Sequence, residues 1–530
     1  MPPLPEGPAF DILSQVRERP DKDALICYDR KLTYREFDEL TNKLAWALAN
    51  IFGVQKGDRV ATMLPNCIQH SLAFFGIIKA GAVAVPCNVM YKARELAYQL
   101  NDSGAETIIS MDVFYPLINQ AGDGTPLKNI ILSNLRDFTS PASAIPSLFV
   151  KEKTKQPGSH ELLEILENSK LEPLNLAINP MEDLALLLYT SGTTGVSKGV
   201  MISHRTVWAC AHPSRYIMDI TDETINLQIM PMFHCSGYCL GQLSVLYSGG
   251  TVVHVPQFNA GQCLNMIEKY GVNLIFAPPT FYIGLLNSPE IAESNLSSLR
   301  LTYSVGAPQP PAVRERWTSL TGNYLYDGYG LTESMCQGAG ALSTTKKKKP
   351  GAVGVAFCGE MKIVDEGGEV VLRGSVGEVM FRGDGIARGY WRKPEETAKS
   401  FAADGWLHTG DAGYMDEEGF LHLVDRYKDL IIASGYNIAP AEVEGVLLQH
   451  PAVNEAAVIG VPDEYRGETV QAFISLRDDY KDNVSADQIL KHCRDNLATF
   501  KVPRKVTFLD EIPKNAVGKI LRRQLREIAK

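Results

Sequence analysis

The chain has 530 residues, of which 45% are hydrophobic and 21% charged, and its formal net charge is -9. This composition is typical of a globular protein with roughly two to four domains or subdomains, and it excludes a disordered or fibrous chain. The acidic balance excludes nucleic acid as an expected partner, because a nucleic-acid-binding protein needs a basic face.

The cysteines and the apolar segments indicate where such a chain works. Ten cysteines are scattered without a C-x-x-C pair, so neither a disulfide framework nor a zinc site is expected, and a reducing, cytoplasmic location is. The N-terminus has no secretory signal pattern. The apolar stretch from Ser71 to Met90 is broken by Lys79, Gly and Pro, so we expect a helix, a turn and a strand, with no transmembrane segment. Peripheral membrane contact stays open, and the run Lys346–Lys349 reads either as a solvated loop or as a patch for anions or a membrane surface.

The first 350 residues alternate short β-branched runs with amphipathic helical stretches. The pattern predicts a strand at Arg59–Leu64, a helix at Ile68–Lys79 and a strand at Ala82–Pro86. Further strands are predicted at Thr107–Ser110, Asn129–Ser133, Leu184–Tyr189, Thr251–Val255, Leu274–Ala277 and Thr302–Val305. Strands separated by helices indicate an α/β fold with parallel layers.

The composition and the pattern of predicted elements change twice after residue 350. Glycine becomes frequent, and short strands at Gly368–Leu372 and Gly377–Arg382 predict a small antiparallel sheet or barrel over about residues 350–425. The last hundred residues have an α+β pattern. Its helices are predicted at Pro440–Gln449, Ala486–Asn496 and Leu521–Ala529, and its strands at Ala456–Ile459, Val470–Leu476 and Lys505–Leu509. We therefore predict two domains, residues 1–427 and 428–530.

The strongest motif is the run from Tyr189 to Gly199, YTSGTTGVSKG, which follows an apolar strand. Ser203 is the expected N-cap of the helix that comes next. Glycines let backbone N–H groups turn inward, the hydroxyls donate hydrogen bonds and Lys198 supplies charge, so the loop suits a polyphosphate. The residue five positions after Gly192 is Ser197, so the spacing is not that of a P-loop ATPase.

This loop resembles the AMP-binding signature of the adenylate-forming superfamily, which includes acyl- and aryl-CoA synthetases, firefly-type luciferases and the adenylation domains of peptide synthetases. Further motifs follow in the family's order along nearly the whole chain. The resemblance implies a large N-terminal α/β domain, a small mobile C-terminal domain, and ATP and Mg²⁺ as ligands. It implies nucleotide binding by Thr190, Ser191, Gly192, Thr193, Thr194, Gly195 and Lys198, with Thr190 also a catalytic residue and metal ligand.

Two motifs complete the implied adenine and phosphate site. SVGAP, Ser304 to Pro308, follows a predicted strand, and by resemblance Gly306 and Ala307 line the adenine and acyl sites. YDGYGLTES, Tyr326 to Ser334, resembles the second nucleotide motif. Carboxylate is a ligand that Mg²⁺ prefers beside phosphate oxygens. The resemblance gives adenine contacts to Asp327, Gly328, Tyr329 and Gly330, phosphate to Thr332, and Mg²⁺ and a catalytic role to Glu333.

The C-terminal motifs supply the ribose and the catalytic cation. GWLHTGD, Gly405 to Asp411, resembles the ribose motif, in which a carboxylate accepts hydrogen bonds from both hydroxyls. By resemblance Asp411 and Arg426 contact the ribose and Lys428 is the hinge. Lys519, in the run PKNAVGKI, corresponds to the catalytic lysine. A carboxylate and an α-phosphate are both anionic, so a cation is needed between them.

The segment MPMFHCSG, Met230 to Gly237, separates branches of the family. Phe233-His234 resembles the CoA synthetases, whereas amino-acid-activating domains carry Phe-Asp, and His234 is expected to act as a catalytic lid over the carboxylate. Ser434 and Gly435 resemble the Ser-Gly-x-Asn segment of the coenzyme A tunnel. Plant coumarate-type ligases have a lysine where this chain has Ile432, which favours a fatty or alicyclic acid.

The expected walls of the acid pocket are largely apolar and carry no second cation. They are His234, Tyr238, Gly241, Ala277, Pro278, Pro279, Thr280, Gly306, Met335 and Cys336. The sequence therefore predicts an acyl-CoA synthetase for a hydrophobic monocarboxylic acid: a medium- or long-chain fatty acid, or an alicyclic or aromatic acid. An acyl-AMP ligase that loads a carrier protein and a luciferase-like oxygenase stay open, as do the identity of the acid and a homodimer.

Overall fold

In the computed structural model the described residues are 2–139, 143–149, 155–190, 197–336, 338–340, 348–356, 359–426, 429, 431–433, 436–463, 467–481, 483–499, 501–515 and 520–530. The α-helices are α1 Tyr34–Asn50, α2 Ile68–Lys79, α3 Ala93–Ser103, α4 Tyr115–Gly122, α5 Leu162–Asn168, α6 His204–Ile217, α7 Ser244–Tyr247, α8 Ala260–Tyr270, α9 Pro279–Leu286, α10 Pro311–Thr321, α11 Pro394–Ser400, α12 Pro440–Leu447, α13 Ala486–Asn496 and α14 Arg522–Ala529. A π-helical segment spans Gly237–Leu243 and a short 3-10 turn spans Thr332–Ser334.

The strands begin and end as follows: β1 Asp23–Cys27, β2 Arg30–Thr33, β3 Arg59–Met63, β4 Val83–Pro86, β5 Thr107–Met111, β6 Asn129–Ser133, β7 Ser159–Glu161, β8 Leu184–Thr190, β9 Lys198–Ser203, β10 Ile225–Gln228, β11 Thr251–His254, β12 Leu274–Ala277, β13 Leu301–Val305, β14 Leu325–Gly330, β15 Gly338–Gly340, β16 Val355–Ala356, β17 Glu360–Val364, β18 Gly377–Arg382, β19 Trp406–Met415, β20 Leu421–Arg426, β21 Ile431–Ala433, β22 Tyr436–Ile438, β23 Val453–Asp463, β24 Gly467–Leu476 and β25 Lys505–Phe508.

These strands form four sheets. A seven-stranded sheet has the order β7-β6-β5-β3-β4-β8-β9 and a nine-stranded sheet the order β16-β15-β14-β13-β12-β10-β11-β1-β2. Both are mainly parallel, with antiparallel pairs at β8–β9, β1–β2, β14–β15 and β15–β16. A four-stranded antiparallel sheet, β17-β18-β19-β20, follows, and the last sheet has the order β22-β21-β24-β23 with β25 parallel to β24. The mixed α/β class expected from the sequence is confirmed.

Helix α2 joins the two large sheets, since it contacts β3 and β4 of one and β1 of the other. All of its residues are buried, as expected of a helix that is apolar on every side. Its one charge, Lys79, is held by Asp38, with Nζ and Oδ1 2.6 Å apart. Gly76 lets α1 approach, because a Cβ at that position would lie 2.7 Å from Cδ2 of Leu44. In the part of the chain that the structure describes, no helix is long and apolar enough to cross a membrane.

The C-terminal sheet is covered on both faces. Along β23, Ala456 and Val458 belong to one buried cluster, whereas Ala457 and Ile459 belong to another. Successive strand residues point to opposite faces, so this alternation places α12 and α13 on one face and α14 on the other. The division into residues 1–427 and 428–530 remains a proposal, which this separately packed sheet supports.

One predicted strand was wrong, and one disulfide was not expected. The predicted strand Gly368–Leu372 is not formed: after a turn in which Gly368 has φ +82°, Val370 makes an isolated bridge to Val364. Cys210 and Cys239 form a disulfide that joins α6 to the π-helical segment. Sequence spacing could not reveal this pair, because its partners meet only through tertiary packing.

Candidate active site

The glycine-rich loop connects β8 to β9, and its two ends lie side by side. Thr190 and Lys198 are direct partners in this antiparallel ladder. The Ser197 hydroxyl donates to the Thr190 carbonyl over 2.5 Å. The predicted nucleotide ligands between these ends lie outside the described residues; they are Ser191, Gly192, Thr193, Thr194 and Gly195.

Tyr390 connects Lys198 to Glu333. The Lys198 ammonium lies 4.8 Å from the centre of the Tyr390 ring and 2.6 Å from a carboxylate oxygen of Glu396. The Tyr390 hydroxyl donates to Oε1 of Glu333 over 2.8 Å. Burial, and then the charge of Glu333, raise the pKa of Tyr390, so the hydroxyl stays protonated. The predicted phosphate lysine and the predicted Mg²⁺ ligand are thus joined through one buried phenol.

Tyr390 and Glu396 were not among the residues predicted from the sequence. The available signal was the run Arg388 to Arg392, RGYWR, in which two aromatic residues stand between glycine and arginine. Its position is fixed by backbone pairing with β9, since the Trp391 N–H donates to the Gly199 carbonyl over 2.8 Å.

The predicted adenine residues follow two neighbouring parallel strands. Gly306 and Ala307 come directly after β13, and the run Asp327–Gly330 ends β14. Carboxyl ends of parallel strands meet at one edge of a sheet, where ligands of α/β proteins bind. Gly306 has φ +86°, a conformation that favours glycine.

A cavity of ≈ 40 Å³ opens at this edge. Its lining includes six residues predicted from the sequence, namely His234, Gly306, Gly328, Tyr329, Gly330 and Cys336. It also includes apolar residues that the sequence analysis missed, namely Met218, Leu240, Phe276, Tyr303 and Val305. Phe276 and Tyr303 are cross-strand partners in β12 and β13 and stack with ring centres 5.1 Å apart, so strand register builds this wall.

The predicted adenine and ribose residues touch each other. The Tyr329 hydroxyl donates to Oδ2 of Asp411 over 2.5 Å, and Asp411 is buried in β19. Asp411 pairs across the strands with Arg426, whose side chain lies outside the described residues. The carboxylate predicted for ribose is therefore placed beside the ring predicted to stack on adenine.

Asp327 has a partner that the sequence did not reveal. Its carboxylate lies 2.5 Å from the guanidinium of Arg314, and both side chains are almost fully buried. Burial raises the pKa of Asp327 to about 6 against the lowering effect of Arg314, so the group is ionised at neutral pH. The predicted contact of Asp327 with the adenine amino edge remains a proposal, in which Arg314 would orient the carboxylate.

The acid side of the site is formed by the turn before the π-helical segment and by that segment itself. Nδ1 of His234 lies 2.8 Å from the Ser236 hydroxyl. The Tyr238 hydroxyl is bonded to Nε2 of buried His70 over 2.9 Å. At Gly241 a Cβ would lie 2.0 Å from Oε1 of buried Gln228, so a larger residue there would displace that side chain.

The other predicted residues are placed as follows. Ala277 ends β12, Pro279 begins α9, and Met335 is buried after the Thr332–Ser334 turn. Oγ1 of Thr332 is 3.7 Å from Sγ of Cys235. The predicted hinge Lys428, the tunnel residues Ser434 and Gly435, and the catalytic Lys519 lie outside the described residues. Lys514, the other lysine of the run PKNAVGKI, is held in an ion pair with Glu455.

Comparisons with known proteins show the family of the chain. The chain matches the AMP-binding enzyme family over residues 12–391 and the AMP-binding enzyme C-terminal domain over residues 442–519. It is 38% identical to a protein named long-chain-fatty-acid--CoA ligase of Bacillus subtilis (strain 168), with 99% of this chain and 95% of that protein covered. It is 36% identical to a protein of the same name from Escherichia coli O157:H7, with 96% of this chain and 92% of that protein covered.

Solved structures of CoA ligases are also similar to this chain. The anthranilate CoA ligase AuaEII in complex with anthranoyl-AMP has a TM-score of 0.88 and 30% identity, covering 100% of this chain and 98% of that one. The o-succinylbenzoate CoA synthetase of Bacillus subtilis with its acyl-adenylate has a TM-score of 0.84 and 30% identity, covering 99% of each chain. The resemblance to adenylate-forming enzymes is confirmed, and the chain belongs to the AMP-binding enzyme family.

Proposed function

We propose that this chain is an AMP-forming acyl-CoA ligase whose acid is a long-chain fatty acid. The reaction joins a carboxylate to ATP with loss of pyrophosphate and then transfers the acyl group from AMP to coenzyme A. The observation that supports a hydrophobic acid with one charge is the lining of the cavity. Within the described part of the chain, this lining is mainly apolar and includes no Lys or Arg. The names of the relatives from Bacillus subtilis and Escherichia coli support the chain length.

The nucleotide half of the site is built to neutralise phosphate charge. Lys198 carries a positive charge at the end of the glycine-rich loop, and Tyr390 ties it to Glu333. Phosphoryl transfer depends mainly on positioning and charge neutralisation. We assign Lys198 and Thr332 to phosphate, and Lys519 to the developing charge between carboxylate and α-phosphate.

The donor chemistry of the site fits Mg²⁺. Glu333 offers carboxylate oxygen and Thr190 offers hydroxyl and carbonyl oxygen, which are hard ligands that this ion accepts beside phosphate. When bound, Mg²⁺ would neutralise charge on the phosphates of ATP. Tyr390 would hold the Glu333 carboxylate in place for the ion.

The transfer to coenzyme A is assigned to the acid side. We propose that His234 covers the carboxylate during adenylation and moves aside for the thiol, while Ser434 and Gly435 line its route. Lys428 would be the hinge about which the C-terminal domain rotates. Lys519→Ala is expected to reduce adenylation strongly while sparing thiolation of preformed acyl-AMP; equal loss in both half-reactions would contradict this division of roles.

A long acyl chain needs more room than the cavity now gives. The cavity measures ≈ 40 Å³. For comparison, an apolar cavity of about 150 Å³ holds one benzene. Tyr238, whose hydroxyl is bonded to buried His70, lies in the same π-helical segment as Leu240, which lines the cavity. We propose that a fatty acid enters by displacing the Tyr238 side chain.

The test is coenzyme-A-dependent AMP formation with acetate, octanoate, palmitate, benzoate and anthranilate. We expect the highest kcat/KM with palmitate. Tyr238→Phe removes the bond to His70 but keeps the ring, so it should favour long acids further without a change for acetate. A maximum at acetate or benzoate would refute the long-chain assignment. AMP release only with a carrier protein, or oxygen uptake with the adenylate, would instead support the two alternative enzymes.

A further inference from the structure

Two cysteines that are far apart in the sequence meet beside the candidate acid site. Sγ of Cys336 lies 2.9 Å from Sγ of Cys235, and both residues are buried. Cys336 also lines the cavity, so a small polar molecule can reach the pair from the active site. Within the described residues, this pair and His234 form the group of soft donor atoms that lies closest to the proposed chemistry.

The backbone around Cys336 is closely held. Cys336 has φ +63° and follows Met335 with φ +47°, and its N–H donates to the Leu331 carbonyl over 2.8 Å. A Cβ at Gly330 would lie 2.4 Å from the Cys336 carbonyl oxygen, so this close approach depends on glycine. The turn that carries Cys336 therefore has little freedom to move away from Cys235.

The separation of the sulfurs favours a disulfide over a shared metal ion. Two thiolates bound to tetrahedral Zn²⁺ at about 2.3 Å would be about 3.8 Å apart, whereas a disulfide bond is about 2.05 Å long. The observed 2.9 Å is already shorter than the metal geometry allows. Moving the sulfurs together requires less than one ångström, which side-chain rotation can supply.

The surroundings also favour reactivity. Burial acts to raise the pKa of the Cys235 thiol, but the hydrogen bond from Cys336 and the charge of His234 outweigh it and hold that pKa well below its ordinary value. Nδ1 of His234 lies 3.6 Å from Sγ of Cys235. Because thiolate is the nucleophilic form, Cys235 is prepared for attack on an oxidant.

We propose that Cys235 and Cys336 form a reversible disulfide, with hydrogen peroxide as oxidant, and that this bond switches off the acid site. The Cys235 thiolate attacks one peroxide oxygen, the O–O bond breaks and the departing hydroxide takes a proton to become water. The Cys336 sulfur then attacks the sulfenic acid, its proton leaves, and a second water is released. Two thiols lose two electrons and two protons, and one peroxide becomes two waters.

The bond would act on His234. It would tie the residue after His234 to the turn that carries Thr332 and Glu333, and so prevent the movement proposed for the thiol step. This consequence rests on the proposed function, whereas formation of the bond does not.

Peptide mapping tests the bond itself. The full-length enzyme is reduced, freed of thiol, treated with hydrogen peroxide, alkylated and digested with trypsin. We expect residues 216–269 linked to residues 317–346, and also to residues 206–215 where the Cys210–Cys239 disulfide forms again. Peptide 216–269 also contains Cys239 and Cys263, so the mapping is repeated in Cys239→Ser, where the link should persist, and in Cys235→Ser, where it should disappear. Absence of the link in the unmodified chain would overturn the proposal.

Activity tests the switch. Peroxide should lower palmitoyl-CoA formation at least about tenfold, and dithiothreitol should restore it. Each variant is compared with its own reduced activity: Cys235→Ser should resist peroxide, whereas Cys239→Ser, which breaks the neighbouring disulfide, should stay sensitive. Equal loss in Cys235→Ser, or full activity in the linked enzyme, would overturn the switch. An enzyme that forms the link but lacks ligase activity even when reduced would instead refute the proposed function.

Discussion

The hydrogen bond from Tyr390 to Glu333 gives a direct test of the nucleotide site. Tyr390→Phe removes the hydroxyl that donates over 2.8 Å but keeps the ring over which Lys198 lies at 4.8 Å. Tyr390→Leu removes both. The pair of variants therefore separates the contact with Glu333 from the contact with Lys198.

The expected size of the effect follows from burial and charge. Tyr390 is only 6% exposed, so water cannot replace the lost donor fully. A hydrogen bond to a charged group contributes about 1.5–3 kcal/mol. If Glu333 needs that bond to hold its catalytic position, adenylation should fall by about 10- to 150-fold. Loss of the ring should add about 0.5–2 kcal/mol, the usual range of a cation–π contact.

The assay is palmitate-dependent exchange between pyrophosphate and ATP, which reports adenylation without coenzyme A. Tyr115→Phe is the matched control, because its hydroxyl donates to the Pro157 carbonyl at an exposed site. Thermal unfolding of each variant shows whether a loss of rate reflects a loss of structure. If Tyr390→Phe catalyses the exchange at the rate of the control variant, the role of the hydroxyl is refuted. If Tyr390→Phe and Tyr390→Leu catalyse it at equal rates, the role of the ring is refuted.

Two further predictions concern stability. Gly76→Ala should lower the free energy of unfolding by about 1–3 kcal/mol, because its Cβ would clash with Leu44. Gly445→Ala in α12 should raise it by about 0.5–1 kcal/mol, because a Cβ there meets nothing within 4 Å. Urea unfolding compares the two variants, and equal changes in the free energy of unfolding would contradict the packing argument. Burial lowers the pKa of His204 to about 4, and its Nδ1 accepts from the Ala9 N–H over 3.0 Å. As pH falls below 6.5 the histidine takes up a proton in the unfolded chain before it does so in the folded chain. Protonation of His204 should therefore lower the free energy of unfolding by about 2 kcal/mol between pH 8 and pH 5. The variant His204→Gln should lose less stability than the unmodified chain over that interval.

Local patterns in the sequence predicted much of the fold. The predicted helix Ile68–Lys79 and strand Asn129–Ser133 match α2 and β6 at both ends. Both are largely apolar segments bounded by turn residues, so pattern and flanks agree. The predicted strand at Gly368–Leu372 was wrong because Gly367 and Gly368 favour a chain reversal at its start, after which Val370 makes an isolated bridge to Val364.

The site was predictable only in part. The composition of the glycine-rich loop indicates phosphate chemistry on its own, whereas the run at Tyr326–Ser334 indicates a nucleotide site through its resemblance to a family motif. Tyr390 and Arg314 carry no such local signal, because their importance comes from partners in other strands. Sequence reasoning therefore found the groups expected to touch the nucleotide, and it missed those that hold them.

These holding contacts suggest how the separate motifs act as one unit. Lys198 begins β9, Glu333 lies in a turn after β14, and Tyr390 reaches both from a segment that pairs with β9. A shift of any of the three segments would change two contacts at once, and coupled contacts of this kind are not additive. The double variant that combines Tyr390→Leu with Lys198→Ala should accordingly lose less activity than the two single losses combined, because both single variants remove the contact between Lys198 and the ring. The same logic explains why the Cys235–Cys336 pair, formed between two such turns, is in a position to alter the site when its sulfurs join.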